Sequence, residues 1–124
     1  MPALLLCLSA AVIDGDSIRC SNLGQVRLLG IDSADYRSSR PCREQFGDHV
    51  CNDSQARAAK ASLKAALRLG PVRVEPVTRD RYGRTVALVS AGGTDLSCWQ
   101  LRRGLARYIV RYDNGGRVAK ACAR

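Results

Sequence analysis

At 124 residues the chain has room for one modest core. Its composition, 46% apolar and 25% charged, excludes a disordered segment, and no apolar run approaches the ~18 residues that a membrane-spanning helix needs. The net charge of +9, mostly from arginines spread along the chain and not from a polybasic tail, suits a face that meets phosphates.

The opening "MPALLLCLSAA" lacks the basic start of a leader and reads as a first strand over residues 3–13, behind a signal peptide that this sequence does not contain. It ends in "VIDGDSI", where an Asp-Gly pair between apolar runs marks a hairpin. A second strand then runs through Cys20, "SNLGQ" turns, and Val26 to Ile31 forms a third strand, completing a meander. Residues 36–52 are polar, contain Pro41, and read as a loop. A helix follows from Asp53 to Leu69, capped by Asn52 or Asp53 and closed by Gly70 and Pro71. Ala56, Ala59, Leu63, Ala66 and Leu67 share one of its faces; Arg57, Lys60, Lys64 and Arg68 form a basic stripe on another.

"PVRVEPV" and "RTVALVS" are two more strands joined by "TRDRYG". A short helix, "DLSCWQLRR", ends at Gly104, and a last helix covers Gly116 to Arg124. Trp99 packs the short helix on the barrel. The predicted fold is α+β, mainly β: a five-stranded OB-type Greek-key barrel with three helices, a single domain over residues 1–124. Six cysteines without a CxxC pair argue against structural zinc and for disulfides, hence for a secreted or periplasmic protein. Their spacing leaves the pairing open.

Chemistry concentrates in three places. Arg27 lies in a strand that is apolar on both faces, so its guanidinium is buried and needs a carboxylate; Asp32 and Asp35 are the nearest in sequence. A structural ion pair and an active site both fit that observation. Asp14 is explained as a turn residue, whereas Asp16, just beyond the turn, is free to join Asp32 and Asp35 around a hard cation such as calcium. Third, "DRYGR" is a tight turn presenting Arg81, Tyr82 and Arg84. Beside a cation, a second arginine could share the charge that develops on a phosphodiester under attack.

In order and spacing, "VIDGDSIRC", "VRLLGIDSAD", "DRYGRTVALV" and "DLSCWQLRRGLA" resemble the staphylococcal-nuclease-like (thermonuclease) family over about residues 5–112. The resemblance implies calcium-dependent cleavage of DNA and RNA, preferably single-stranded, to 3′-phosphate products by a monomer that does not engage membranes. It implies Asp16, Asp32 and the Ser33 carbonyl as metal ligands and Arg27 and Arg84 on the scissile phosphate. Arg81, Tyr82, Tyr108 and Tyr112 would line the nucleotide pocket. The departure is "DSAD", where the family reads Asp-(Thr or Ala)-Pro-Glu. Ala34 replaces the proline, and Asp35 stands in for the glutamate as catalytic base with about 1.5 Å less reach. A misplacement of about 1 Å can cost on the order of 100-fold in rate.

Within this frame Cys7 and Cys20 flank the hairpin, to be brought opposite each other by a bulge or a slightly longer turn. Cys42 and Cys51 bracket the loop after Asp35, which leaves Cys98 with Cys122. The only histidine, His49, reads as an exposed loop residue without a catalytic role. Two other classes compete with the nuclease: a catalytically silent OB module that binds single-stranded nucleic acid, and a disulfide-stapled protein whose charges are only structural pairs.

Overall fold

The computed structural model describes residues 4–45 and 47–123; Ala3, in the predicted first strand, and Arg124, in the predicted last helix, lie outside them. The first apolar run folds as two strands, β1 (Leu5–Cys7) and β2 (Ala10–Asp14). After the hairpin come β3 (Ser17–Cys20), β4 (Gly24–Leu28) and β5 (Ile31–Asp32). The predicted third strand is thus split, with the break at Gly30, whose φ is +76°. Next are α1 (Arg40–Glu44), α2 (Asp53–Ala66) with a 3-10 turn over Leu67–Leu69, β6 (Val72–Arg79) and β7 (Thr85–Ala91). The chain ends with β8 (Thr94–Asp95), α3 (Leu96–Arg102), β9 (Arg107–Tyr108), a second 3-10 turn at Val110–Tyr112, and α4 (Arg117–Cys122).

The sheet order is β1-β6-β7-β4-β3-β2, with β8 added on β7. Both edges of that order belong to one extended stretch, residues 5–14, so the sheet curls back on itself as an OB-type barrel. The five strands expected from sequence are nine among the described residues, because the first and third are each split in two and two further two-residue pieces, β8 and β9, are added. The fourth helix is α1, inside the predicted loop, where Pro41 sits in the first turn. In β6, Pro76 lies past the residues that pair with β1, where its missing N–H costs no ladder bond on that side, and the register with β7 slips beside it.

The barrel interior is filled by Ile18, Val26, Leu28, Val74, Val89 and Leu96, with Leu63 and Ala66 of α2 closing one end. Each large aliphatic side chain there contributes about 1.5–3 kcal/mol. Asn52 caps α2 by accepting from Gln55 N at 3.0 Å, and Ala56, Ala59, Leu63 and Ala66 form its buried face. The small residues let the β2–β3 hairpin approach closely. A Cβ added to Gly15 would lie 2.5 Å from Ala59 Cβ and 2.7 Å from Ser33 Oγ. Gly15 is therefore needed for close contact; it is absent from the glycines with positive φ, so the turn is not the left-handed one its Asp-Gly pair suggests. Gln100, fully buried, donates from Nε2 to both Gly15 O and Ala59 O at 2.8 Å and locks this junction. Trp99 bridges helices as well as touching the core: its indole N–H donates to Ser62 O and Oγ on α2, and Arg103 lies 3.2 Å over the ring.

Disulfides join Cys7 to Cys20, Cys42 to Cys51 and Cys98 to Cys122. The first does not span opposed hairpin positions. Cys20 faces Ala10 across the ladder, and its bond reaches past the Leu8–Ser9 break to β1. A bulge does occur in the hairpin, between Val12 and Asp14. Three disulfides call for oxidising surroundings, and no described helix is long and apolar enough to cross a membrane.

Candidate active site

The bulged hairpin delivers Asp14 and Asp16 to the start of β3. Asp14 serves the turn: its Oδ1 accepts from Ser17 Oγ at 2.6 Å and from Asp16 N at 3.2 Å. Burial, with Asp16 alongside, pushes its carboxyl up to about 7. Asp16, whose carboxyl also touches that of Asp14, reaches across to β4 and to residue 33. Its Oδ1 meets Arg27 Nη1 at 2.7 Å and its Oδ2 accepts from Ser33 N at 3.0 Å. Burial opposes its ionisation, but the Arg27 charge and these hydrogen bonds prevail and hold the carboxyl below the usual range.

Arg27 on β4 is the hub. Besides Asp16, its Nη2 lies 3.6 Å from Asp32 Oδ1 and donates to Ile31 O at 3.1 Å. Burial disfavours its charge, yet Asp16 and Asp32 raise its affinity for the proton above that of a free guanidinium. The guanidinium thus stands between two buried carboxylates, Asp16 and Asp32. The partners differ from those nearest in sequence: Asp16 replaces Asp35, because β3 pairs with β4 in a register that sets Ser17 opposite Arg27.

Asp35 is turned elsewhere. Its backbone pairs with the 50–52 segment, donating from N to Val50 O at 2.8 Å and accepting from Asn52 N at 3.0 Å. Its Oδ2 lies 3.2 Å from His49 Nδ1. Burial, then repulsion from Asp16, raises its carboxyl; His49 pulls the other way, Asp32 adds to the rise and Arg27 lowers it. His49 is therefore not a bystander of the loop. One ligand atom from each of Asp32, Asp35 and His49 falls within 4.8 Å of the others, a grouping that could hold a metal ion.

Arg107 is the second residue that sequence reasoning missed. β5 pairs with β9 so that Asp32 stands opposite Arg107. Arg107 Nη2 donates to Asp32 Oδ2 at 2.9 Å and to Asp48 O at 2.8 Å. Asp32 thus has a guanidinium near each oxygen. The only signal was position: Arg107 directly follows "GLA", at the end of the motif-bearing stretch.

The remaining predicted residues lie in two groups. In the β6–β7 turn, Asp80 holds Arg84: Oδ2 accepts from Arg84 Nε at 2.7 Å, while Oδ1 accepts from the N–H groups of Tyr82 and Arg84. Arg81 and Arg84 both lie over the Tyr82 ring, at 5.3 and 5.7 Å, and Tyr82 is 64% exposed. Parallel pairing of β4 with β7, Val26 opposite Thr85, carries this turn alongside the Arg27 strand. Tyr108 sits beside the site, opposite Ile31, but its hydroxyl donates to buried Asp113 at 2.5 Å. Tyr112 is exposed and carries Arg111 over its ring.

A family described as staphylococcal nuclease homologue matches residues 25–122. The succinoglycan biosynthesis protein ExoI of Rhizobium meliloti (strain 1021) is 36% identical over 115 residues, 90% of this chain and 56% of that protein. Two proteins of Bacillus subtilis (strain 168) are 27% identical over 104 residues, 82% of this chain. They are the SPbeta prophage-derived endonuclease YokF, of which 33% is covered, and the endonuclease YncB, of which 46% is covered. The chain spans from a third to just over half the length of these relatives.

Proposed function

The chain belongs to the staphylococcal nuclease homologue family, and from that premise we propose that it is a calcium-dependent endonuclease that hydrolyses DNA and RNA, single strands preferred, to 3′-phosphate products. The observation that carries this reading is the buried Asp16–Arg27–Asp32 arrangement, with Asp35 beside it. Burying three charges costs several kcal/mol before any is recovered, and Asp16 alone at 2.7 Å would meet Arg27's need for a partner. The donor set also fits the ion: Asp16, Asp32 and the Ser33 carbonyl offer only hard oxygens, the preference of calcium. Bound there, calcium would neutralise charge on a phosphate oxygen.

The chain's own groups divide the remaining work. Arg27 binds the scissile phosphate from the protein interior, where low polarity strengthens a bidentate contact. Arg84, oriented by Asp80, binds from the β6–β7 turn. Asp35 takes the proton from the attacking water, a transfer that its raised affinity for protons favours. Tyr82 and Arg81, with Tyr108 and Tyr112, face the neighbouring nucleotide. The disulfides support a secreted or periplasmic protein, which we read as a monomer of one domain.

One observation favours a second reading, a nucleic-acid-binding module without turnover: Asp32 and Arg84 already have charged partners, Arg107 and Asp80. The deciding experiment is cleavage of a fluorescent single-stranded oligonucleotide by the oxidised protein with calcium, with chelator, and with Asp35→Ala and Arg84→Ala. Calcium-dependent cutting lost in both variants supports the nuclease. Salt-sensitive binding with no cutting at any pH replaces it with the module.

A further inference from the structure

We propose that His49 is a positioning residue that aims the Asp35 carboxylate; the proposal rests on reading Asp35 as the base. The shorter side chain and the loss of proline at Ala34 deprive Asp35 of two sources of order, and the structure holds replacements for both. For the backbone, Val50 O and Asn52 N clamp residue 35 from either side, and the Cys42–Cys51 bond closes the loop that supplies them. For the side chain, His49 Nδ1 holds Oδ2 at 3.2 Å. No hydrogen bond to Oδ1 is found among the described residues, which leaves that oxygen to receive a proton from water.

The loop that carries His49 is itself tied to the site. Asp48 O accepts from Arg107, whose other contact is Asp32, so the imidazole is referenced to the same carboxylate that flanks Arg27. On its far side, Nε2 sits over Gly47, where an added Cβ would come within 2.9 Å. Stability is a poor explanation for this contact. The His49 and Asp35 side chains are 30% and 21% exposed, and polar contacts open to solvent add little to stability. Orientation of a reacting group is far more sensitive, at on the order of 100-fold per ångström. A close polar partner that fixes a functional side chain is the usual means of securing it.

The test combines steady-state kinetics with imidazole NMR. His49→Ala should lower kcat about 10- to 100-fold with KM and melting temperature little changed. His49→Asn, which keeps a donor near the Nδ1 position, should recover most of the loss. In an Asp35→Ala background His49→Ala should add nothing, since its effect passes through Asp35. Full activity in His49→Ala, a loss confined to KM, or an undiminished loss in the Asp35→Ala background would overturn the proposal. The ¹⁵N shift of His49 Nδ1 supplies an arm independent of turnover. If the wild type does not cut, the nuclease reading fails by itself. The pairing is then judged by whether Asp35→Asn moves that shift, and an unmoved shift ends it.

Discussion

Asp32 and Arg107 stand opposite each other across the β5–β9 pair, Oδ2 accepting from Nη2 at 2.9 Å. The residue proposed as a metal ligand therefore already holds a cation of the protein's own. A divalent ion entering this site competes with a guanidinium, and the competition sets its affinity.

Arg107→Ala should tighten calcium binding by roughly two- to fivefold, the equivalent of an ion pair of ~0.5–1 kcal/mol with one partner well exposed. Titration calorimetry on wild type and variant checks this. Because Arg107 also holds Asp48 O, the same variant should speed amide exchange in residues 47–50. An unchanged affinity would mean that the pair yields to the ion at no cost.

Arg27→Met should cost about 3–5 kcal/mol at pH 7, since it strands Asp16 as an unpaired buried charge. The Asp16 carboxyl is held low in the folded wild type. Its stabilising contribution is therefore complete above the unfolded value near 4 and disappears as pH falls through the lower folded value. The gap between wild type and variant should accordingly shrink below pH 4. Urea unfolding at pH 7 and pH 3.5 measures both ends.

Asp14 works in the opposite sense and a different window. Its folded carboxyl titrates at about 7 against 3.8 unfolded, so the folded state binds the extra proton and loses stability as pH rises between those values. In chelator, Asp14→Asn should remove a slope of up to about 1.4 kcal/mol per pH unit while its amide oxygen still accepts from Ser17 Oγ. A wild-type stability that is flat from pH 4 to 7 would contradict the assignment.

Gly15→Ala should destabilise by ~1–3 kcal/mol through overpacking against Ala59 and Ser33. The relaxation must move the hairpin that carries Asp16, so calcium affinity should fall in the same variant. Thermal melting with and without calcium separates the two effects: the ion should raise the variant's midpoint less than that of the wild type.

What could be read in advance follows from range. The α2 cap at Asn52, its alanine face and the β6–β7 turn are local patterns, set by residues a few positions apart. Arg27's burial was legible because its strand is apolar on both faces. Its true partner Asp16 was not, since that depends on register between β3 and β4. The Asp32–Arg107 pair rests on two-residue strands separated by 75 positions, too short to show periodicity. His49 meets Asp35 only after the Cys42–Cys51 loop has folded back, and a lone histidine in a polar segment has no local mark of that return. Gly15 was legible as a turn residue, but the reason for a glycine lies in a helix more than forty residues away.

The two outer disulfides have a mechanical consequence. Tension applied from the preceding or following chain reaches Cys7 or Cys122 first and crosses there to Cys20 or Cys98. The backbone between those points, residues 8–19 and 99–121, hangs outside the load path. These slack segments carry Asp14 and Asp16 on one side and Arg107, Tyr108 and Asp113 on the other. A pull on either end is therefore borne by sulfur and by the middle of the barrel, and the hairpin that holds Asp16 is shielded from it.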